Sequence, residues 1–491
     1  MLQLKNIYTS NLDVIWTLLA FAIGLSLTFI SSSYLSSSVG FPRGVRYPDT
    51  GESTRRGKSA IDGIYAILKP QSTIAEQVIS RAISNARLVR AFGLSNTFVK
   101  ESFDVHNAFV AQAKYLLKAA ENWPDFLEVC VESVEASLAS LRHASTIPFD
   151  VFIQGITLRA VLVGFLRVNA TPASLDSYHI QKVAELITVL WGLSKSKSPA
   201  DIASLQPLRE QLRVSLTHLG LPYRGISGVD FETLHNPLDF IIPAWETLWR
   251  VVALSFAHTY AYKGVIESLE IFRDHPTKHN FQSFEIVKGT PSIEAVVMET
   301  MRLFPPSGRI GRAIPQFEAP SFIQQVQNLI RSIPLPISFA LNSTGTGEGR
   351  VTSTSFMVVK ADIEAIQRDT TIWGENSTTY DPMRHHPKVF TPEQKKALIP
   401  FGAGSLQCIG AKWAPMAVGV IMAAIADRVD HGLTKEYVLV RGKKMGSRNG
   451  WDGWFVQRRN VDDTIQPATT SNGDDLGLAV QQGSVTNIRG G

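Results

Sequence analysis

The most distinctive hydrophobic pattern in the chain is an uninterrupted apolar run at residues 14–35, which contains no charged side chain. At 1.5 Å rise per residue, roughly 20 helical residues cross a bilayer core of about 30 Å. Only Lys5 precedes the run among basic residues, whereas Arg43 and Arg46 follow it closely. The positive-inside rule therefore predicts a membrane anchor at residues 1–36 with the rest of the chain in the cytosol. The alternative, a cleaved signal peptide, fits poorly because its apolar segment usually has about 7–15 residues.

Beyond the anchor, the spacing of apolar side chains changes twice. From residue 59 to about residue 300 they recur every three or four positions, which predicts a series of amphipathic helices. Residues 314–359 are rich in Pro, Gly, Ser and Thr, with short β-like pieces such as TSFMVV. A further helix is predicted over residues 411–429, and the stretch RNGWDGWFVQRR at 448–459 predicts a hairpin. The expected fold class is mainly α with a minor β part.

The C-terminal stretch has hardly any large apolar side chain, so residues 459–491 are predicted to be a disordered tail. The expected organisation is an anchor at 1–36, one large domain at 37–458 and this tail. With 491 residues, 44% of them hydrophobic, the chain can bury a large core. Its net charge of +5 suits contact with anionic lipid or an acidic partner and is too weak to indicate nucleic-acid binding.

The candidate chemistry centres on one of only two cysteines, which are too few for a secreted disulfide scaffold and indicate a reducing compartment. Cys130 is interpreted as a small buried hydrophobic residue. Cys408 lies in the Gly-rich loop FGAGSLQCIG, residues 401–410, directly before a predicted helix. Glycines let a backbone pass close beneath a flat cofactor, and the N–H groups after the cysteine can hydrogen-bond its sulfur. The alternative is a free cysteine in a turn.

This loop resembles the haem-binding sequence FxxGxxxCxG of the cytochrome P450 family. The resemblance makes Cys408 the axial ligand of the haem iron, whose electron donation favours cleavage of the O–O bond. The loop positions that it assigns to the cofactor are Phe401, Gly402, Gly404 and Gly410. Upstream, ETMRLFPP resembles the family's ExxR helix, and RDTTIWGENSTTYDPMRHHP resembles the segment that supplies a second arginine.

The ExxR resemblance implies that Glu299, Arg302 and Arg384 form a buried ion triad behind the haem loop. Such a triad is costly unless every member is paired, so the loss of one should be strongly destabilising. The alternative for Glu299 and Arg302 is an ordinary surface pair three residues apart on a helix.

The segment Pro243-Ala-Trp-Glu-Thr247, within an apolar helical run, resembles the family's (A/G)GxxT motif of the oxygen-activating helix. Glu246 and Thr247 are therefore the candidate proton relay to dioxygen, since a hydroxyl can both donate and accept. Pro243 lacks an N–H and should distort the helix there. The alternative places Pro243 at the first position of a helix and Glu246 in its first turn.

Contacts to the haem propionates are less regular in this sequence. Arg312 falls where the family has a propionate-binding arginine, and His106 resembles a contact from an early helix. The alternative for His106 is a solvated surface histidine. Leu406 stands where many members carry another propionate-binding arginine, so either a different basic group substitutes for it or that propionate is solvated.

Together the resemblance implies a cytochrome P450 fold with haem b, dioxygen, and electrons from NADPH delivered by a membrane-bound NADPH-cytochrome P450 reductase. It further implies a single-pass protein of the endoplasmic reticulum membrane with a cytosolic catalytic domain. Segments 90–98, 240–244, 307–310 and 451–455 would line an apolar pocket for a lipophilic substrate. The oxygen helix looks like that of fungal secondary-metabolism members.

Two alternative functions remain open. One is a haem-thiolate isomerase, dehydratase or peroxygenase that needs no reductase, against which the presence of Glu246 and Thr247 argues. The other is a non-catalytic haem- or ligand-binding protein. The complete set of Cys408, Glu299 and Arg302 argues against that role, because a binding role does not need a thiolate ligand.

Overall fold

A computed structural model describes residues 60–142, 144–221, 236–316, 355–430 and 435–459, all within one compact unit, Thr54–Gly491. The predicted anchor at 1–36, most of the β-like segment, and the predicted tail apart from its first residue lie outside the described residues.

Helices make up most of the described chain. They are α1 (60–68), α2 (Ile74–Asn85), α3 (Arg87–Phe92), α4 (Phe103–Ala119), α5 (Trp123–Leu138), α6 (Phe149–Arg159, continued by a π-helical segment Ala160–Phe165), α7 (Ser177–Leu193), α8 (Pro199–His218), α9 (Leu238–Thr259), α10 (Lys263–Asp274), α11 (Lys278–Gln282), α12 (Ile293–Leu303), α13 (Ile363–Gln367), α14 (Thr370–Trp373), α15 (Pro392–Ala397) and α16 (Ala414–Arg428). The strands are β1 (Thr146–Pro148), β2 (Arg309–Gln316), β3 (Ser355–Asp362), β4 (Val429–Asp430), β5 (Tyr437–Val440) and β6 (Phe455–Arg458). The prediction of a mainly α fold with a minor β part is confirmed.

The strands form two small sheets. One has the order β1-β6-β5-β4, in which only β4 and β5 are parallel, and the other is the antiparallel pair β2-β3. The predicted local hairpin at 448–459 is wrong, because β6 pairs with β5 and β1 rather than with a strand inside that stretch. Its Trp451 and Trp454 are instead buried and pack against Phe149, with ring centroids 5.3 and 5.9 Å away.

The helix after the cysteine loop begins later than predicted. A short 3₁₀ turn, Ile409–Ala411, precedes α16, whose first residue is Ala414. Pro415 lacks an N–H and so could not donate to the Ala411 carbonyl, which prevents an α-helical ladder from starting earlier.

The centre of the fold is α9, which contacts α6, α12 and α16. Its length and apolar composition would allow this helix to cross a membrane, but 83% of its apolar stretch is buried inside the protein. Trp245 and Trp249 are fully buried, and the Trp245 indole donates to the Thr157 hydroxyl at 3.0 Å. A core helix of a large protein needs this uniformly apolar surface, because it meets other elements on all sides.

Pro243 lies inside α9, five residues after its first residue, so the alternative that placed it at a helix start is wrong. Its missing N–H leaves the Asp239 carbonyl without a partner in the helix. The Asn96 side-chain amide donates to that carbonyl at 2.7 Å, while the Asp239 carboxylate accepts from the backbone N–H of Ser95 at 2.8 Å. The segment before α4 thus satisfies the helix distortion and fixes the start of α9.

Candidate functional site

The Cys408 loop needs glycine at its first two Gly positions because of the backbone conformation there. Gly402 and Gly404 have φ of 69° and 82°, the left-handed region that side chains other than glycine rarely adopt. A Cβ at Gly404 would also lie 2.6 Å from the carbonyl oxygen of Leu68. Within the loop, the N–H of Cys408 donates to the Phe401 carbonyl at 3.0 Å, which closes the turn beneath the sulfur. The backbone therefore presents this side chain in one fixed direction.

The Cys408 sulfur is crowded by protein and yet accessible. Its side chain is exposed to solvent, while burial raises the pKa of its thiol and a hydrogen bond from the Gly410 N–H lowers it. Both observations fit a sulfur that faces an internal cavity rather than open surface. Cys130, by contrast, is fully buried, and burial alone raises the pKa of its thiol far out of the physiological range.

One face of α2 connects this loop to its surroundings. Gln77, Arg81 and Ser84 lie three or four residues apart and so share a face. The Ser405 hydroxyl of the cysteine loop donates to the Gln77 side-chain oxygen at 2.8 Å. The Ser84 hydroxyl donates to the Gly311 carbonyl of β2 at 3.1 Å. Arg81 therefore lies between the cysteine loop and β2.

Arg81 and Arg312 form a buried pair of like charges. Each is only 7% exposed, and the Nε atom of each has no hydrogen-bond partner. Burial, and then the charge of Arg312, lowers the pKa of Arg81 to about 10. Neither guanidinium contacts a carboxylate among the described residues. Buried cations normally require an anionic partner, so this pair is built to receive one.

His106 adjoins the same pair rather than lying free on the surface. Its Nδ1 is 2.8 Å from the Thr97 hydroxyl and 3.4 Å from Nη2 of Arg81, which itself donates to the Thr97 carbonyl at 2.8 Å. Burial and the charge of Arg81 lower the pKa of His106. The sequence interpretation found Arg312 and His106 but missed Arg81, whose partners lie 16 to 231 residues away in the chain, from Thr97 to Arg312.

These residues fit a haem. An accessible cysteine sulfur with an N–H donor suits the thiolate ligand. The Arg81–Arg312 pair suits the two propionate carboxylates, since charge-assisted hydrogen bonds would satisfy both orphaned Nε atoms. With a haem bound, Arg81 would be the basic group that compensates for the arginine missing at Leu406.

On α9, three neighbouring residues differ from the rest of the buried helix. Pro243, Ala244 and Thr247 are half-buried, whereas the residues around them are buried. Thr247 lies four residues after Pro243 and three after Ala244, which places it on one face with both. The Thr247 hydroxyl makes no hydrogen bond to any described residue. This stripe is therefore partly accessible to solvent, and the Thr247 hydroxyl is available to a ligand.

Glu246 is bound into an ion cluster rather than bonded to Thr247. Its carboxylate is 3.2 Å from Nη2 of Arg250 and accepts from Nε of Arg448 at 2.8 Å. Arg250 also donates to the Pro306 carbonyl at 3.0 Å, in the turn that follows α12. The described contacts thus place the two predicted relay residues in different environments.

The predicted triad is fully assembled. Arg302 donates to both carboxylate oxygens of Glu299, at 2.7 and 2.8 Å, and Arg384 donates to one of them at 3.0 Å. Glu299 and Arg302 are completely buried, which excludes the alternative of a surface pair. The sequence interpretation missed His385, whose Nε2 lies 2.9 Å from Glu299, although it directly follows Arg384.

Arg302 also donates hydrogen bonds to the backbone of a segment distant in the sequence. It donates to the carbonyls of Gln367 at 2.7 Å and Ser377 at 2.6 Å, and it lies 4.8 Å from the ring of Trp373. Burial alone would raise the pKa of Glu299, but hydrogen bonds from Arg302 and His385 and their charges lower it to about 2. The carboxylate is therefore charged at any physiological pH.

Only part of the predicted pocket is supported by the described contacts. Pro243 and Ala244 lie on the half-buried stripe, whereas Phe240 is buried and stacks on Phe109 with ring centroids 5.0 Å apart. Trp451 and Trp454, however, are buried in the core, so the expectation that 451–455 lines the pocket is wrong for these two side chains.

Comparison with known proteins identifies relatives of part of the chain. A family model described as cytochrome P450 matches residues 357–435. Benzoate 4-monooxygenase bphA of Aspergillus niger is 28% identical over 167 residues, which are 33% of this chain and 27% of that protein. The bifunctional cytochrome P450/NADPH–P450 reductase ascE of Acremonium egyptiacum is 25% identical over 194 residues, which are 39% of this chain and 16% of that protein. The match thus spans less than a third of each relative's length.

Among solved structures, CYP175A1 from Thermus thermophilus is similar over 81% of this chain and 87% of its own, with a TM-score of 0.51. The two sequences are 16% identical, so this likeness concerns the fold. The arrangement of helices around α9 and the two small sheets is the fold of cytochromes P450.

The first testable prediction concerns Glu299. Because its pKa is depressed to about 2, its contribution to stability is present above pH 4.5 and is lost as the pH falls toward 2. A depression of this size corresponds to about 3 kcal/mol. Replacing Glu299 with Gln should lower the free energy of unfolding at neutral pH by about 3–5 kcal/mol, because Arg302 and Arg384 lose their buried counterion.

Urea unfolding at a series of pH values measures this effect. The difference between the native protein and E299Q should narrow as the pH falls, and a difference independent of pH would contradict the assignment. Glu185→Gln, which removes an exposed carboxylate on α7, is the matched control and should change stability by less than about 1 kcal/mol.

Proposed function

We propose that this chain is a haem-thiolate monooxygenase of the cytochrome P450 family that oxidises a lipophilic small molecule. The proposal rests on one observation: the accessible Cys408 sulfur lies in a loop that is hydrogen-bonded to the helix that carries Arg81. Arg81 and Arg312 are a buried pair of cations with unpartnered Nε atoms and no carboxylate contact among the described residues. A thiolate ligand matches the haem iron, and two carboxylate-binding cations match the two haem propionates. The reaction balances as substrate, O₂, NADPH and a proton giving hydroxylated substrate, water and NADP⁺.

Haem b, when bound, would supply the activation of dioxygen that no amino-acid side chain provides. Cys408 would ligate its iron from the loop side, and Arg81, Arg312 and His106 would bind its propionates. Phe401, Gly402, Gly404 and Gly410 would shape the surface beneath the ring. The Gly410 N–H keeps the sulfur a moderate electron donor, because a hydrogen bond reduces its basicity.

Thr247 is proposed to position protons on the oxygen side. Its hydroxyl has no partner among the described residues and lies on the half-buried stripe, so it can donate to oxygen and accept from water. Glu246 can contact the Thr247 side of the helix only when one of its two arginines releases a carboxylate oxygen, since one oxygen pairs with Arg250 and the other with Arg448.

The proposed function implies an electron-donating partner and a membrane location. We assign electron delivery to a membrane-bound NADPH-cytochrome P450 reductase, as one similar protein is a fusion of cytochrome P450 and reductase. The apolar run at 14–35 supports an anchor at 1–36 in the endoplasmic reticulum membrane, a catalytic domain at 37–458 in the cytosol and a tail at 459–491. We propose a role in fungal secondary metabolism because the oxygen helix resembles that of such family members, and two of the similar proteins come from Aspergillus niger and Acremonium egyptiacum.

The second prediction tests the propionate site. Arg81→Gln should release haem about 10- to 100-fold faster than the native protein, because a charged hydrogen bond contributes roughly 1.5–3 kcal/mol. Transfer of haem to excess apomyoglobin, followed by absorbance, measures the rate. Arg309→Gln removes an exposed arginine from β2 and should leave the rate unchanged; equal rates for the two variants would reject Arg81.

The third prediction tests the iron ligand. In the native protein, reduction and carbon monoxide should produce the long-wavelength Soret band of thiolate-ligated haem. Cys408→Ser should abolish this band, whereas Cys130→Ser should retain it, since that thiol is sealed in the core. A native spectrum typical of histidine ligation would refute the proposed function.

The fourth prediction tests the proton relay. Thr247→Ala should uncouple NADPH consumption from product formation and release hydrogen peroxide, because oxygen loses its positioned proton donor. The ratio of product to NADPH consumed, measured in reconstituted membranes, reports this change. Thr259→Ala is the matched control on α9, as that hydroxyl bonds to its own helix. Unchanged coupling in T247A would remove Thr247 from the mechanism.

A further inference from the structure

The ion cluster around Glu246 contains more positive charge than its one carboxylate can neutralise. Arg250 and Arg448 both pair with Glu246. The guanidinium of Arg448 lies 4.9 Å from the ring centroid of Trp191, and that of Arg87 lies 5.1 Å from the same ring. Trp191 therefore brings two arginines from distant parts of the chain together.

Lys195 adds a further cation to the cluster. Burial, followed by the charges of Arg448 and Arg87, lowers the pKa of this lysine, while Glu246 opposes them. The same pattern applies to Arg87, whose pKa is lowered by burial and by Arg448. Glu246 is the one acid that acts on both groups among the described residues.

Two of these four cations have no carboxylate of their own. Arg250 and Arg448 share Glu246, but neither Arg87 nor Lys195 pairs with any described acid. Arg87 donates to the hydroxyl of the buried Ser194, and the ammonium of Lys195 makes no hydrogen bond within the described residues. Four positive charges and one negative charge leave a net charge of +3. Cations that are partly desolvated and close together gain strongly from an external anion.

The cluster also adjoins the half-buried stripe of α9, Pro243, Ala244 and Thr247. Glu246 directly precedes Thr247 and lies three residues after Pro243, so its side of the helix is next to that face. Arg87 begins α3, Lys195 follows α7, and Arg448 lies between β5 and β6. Lys195 is exposed and Arg87 half-buried, so an anion in solvent can reach both cations.

We propose that the substrate of this site is a lipophilic carboxylic acid, whose carboxylate binds between Arg87 and Lys195 while its apolar part reaches the stripe at Pro243, Ala244 and Thr247. The inference deepens the proposed function, on which it rests. Arg87 supplies a planar guanidinium fork that matches a carboxylate, and Lys195 supplies a point charge. Arg448 keeps its bond to Glu246 and adds to the field without contacting the ligand.

Equilibrium dialysis of the haem-loaded protein against two probes of equal shape tests this inference. Decanoate carries the charge, and decanamide is its neutral analogue. Decanoate should bind the native protein at least about tenfold more tightly than decanamide, and added salt should reduce this preference. In Arg87→Gln/Lys195→Gln, the two probes should bind equally, with the affinity for decanamide unchanged.

Further variants distinguish the loss of a positive charge from a loss of folded structure. Arg87→Lys should keep most of the preference for decanoate, and Lys195→Gln alone, at an exposed position, should lose part of it. Lys182→Gln removes a half-buried lysine from α7 and should keep the whole preference for decanoate. Equal binding of the two probes to the native protein, or a preference that survives in the double variant, would overturn the inference. Failure of the proposed function is distinguishable, because it would appear as an absent thiolate band in the native protein.

Discussion

The completely buried carboxylate of Glu299 is the constraint on which the rest of the site depends. Five donor groups converge on it: two from Arg302, one each from Arg384 and His385, and the backbone N–H of Asp381. A buried charge with fewer partners would cost several kcal/mol, so the segments that supply these donors must be in place together.

The network acts through the backbone as much as through charge. Arg302 donates to the Gln367 and Ser377 carbonyls, and the Gln367 side chain accepts from the Ile399 N–H at 3.0 Å. Ile399 lies two residues before Phe401, the first residue of the cysteine loop. An unbroken series of contacts therefore leads from α12 to the loop that presents Cys408. The triad sets the position of the sulfur without touching it.

Local sequence patterns predicted those features that depend on residues close together in the chain. Glu299 and Arg302 lie one helical turn apart, so their pairing follows from spacing, and the positions of Gly402 and Gly404 follow from the turn that they make. The distortion at Pro243 was predictable, but its partner Asn96 was not, because that contact spans 143 residues. Arg81 was missed for the same reason. The hairpin at 448–459 was predicted wrongly because periodicity shows that a strand exists and leaves its partner undetermined.

The position of Arg81 has a consequence for how the protein accumulates in a cell. If Arg81 and Arg312 bind the propionates, the cofactor joins α2 to β2, two elements that repel each other at this point without it. A ligand that binds only the native state shifts the folding equilibrium by mass action. The stability of the protein would then follow the supply of haem, and chains made faster than haem is delivered would be the first substrates of quality-control proteases.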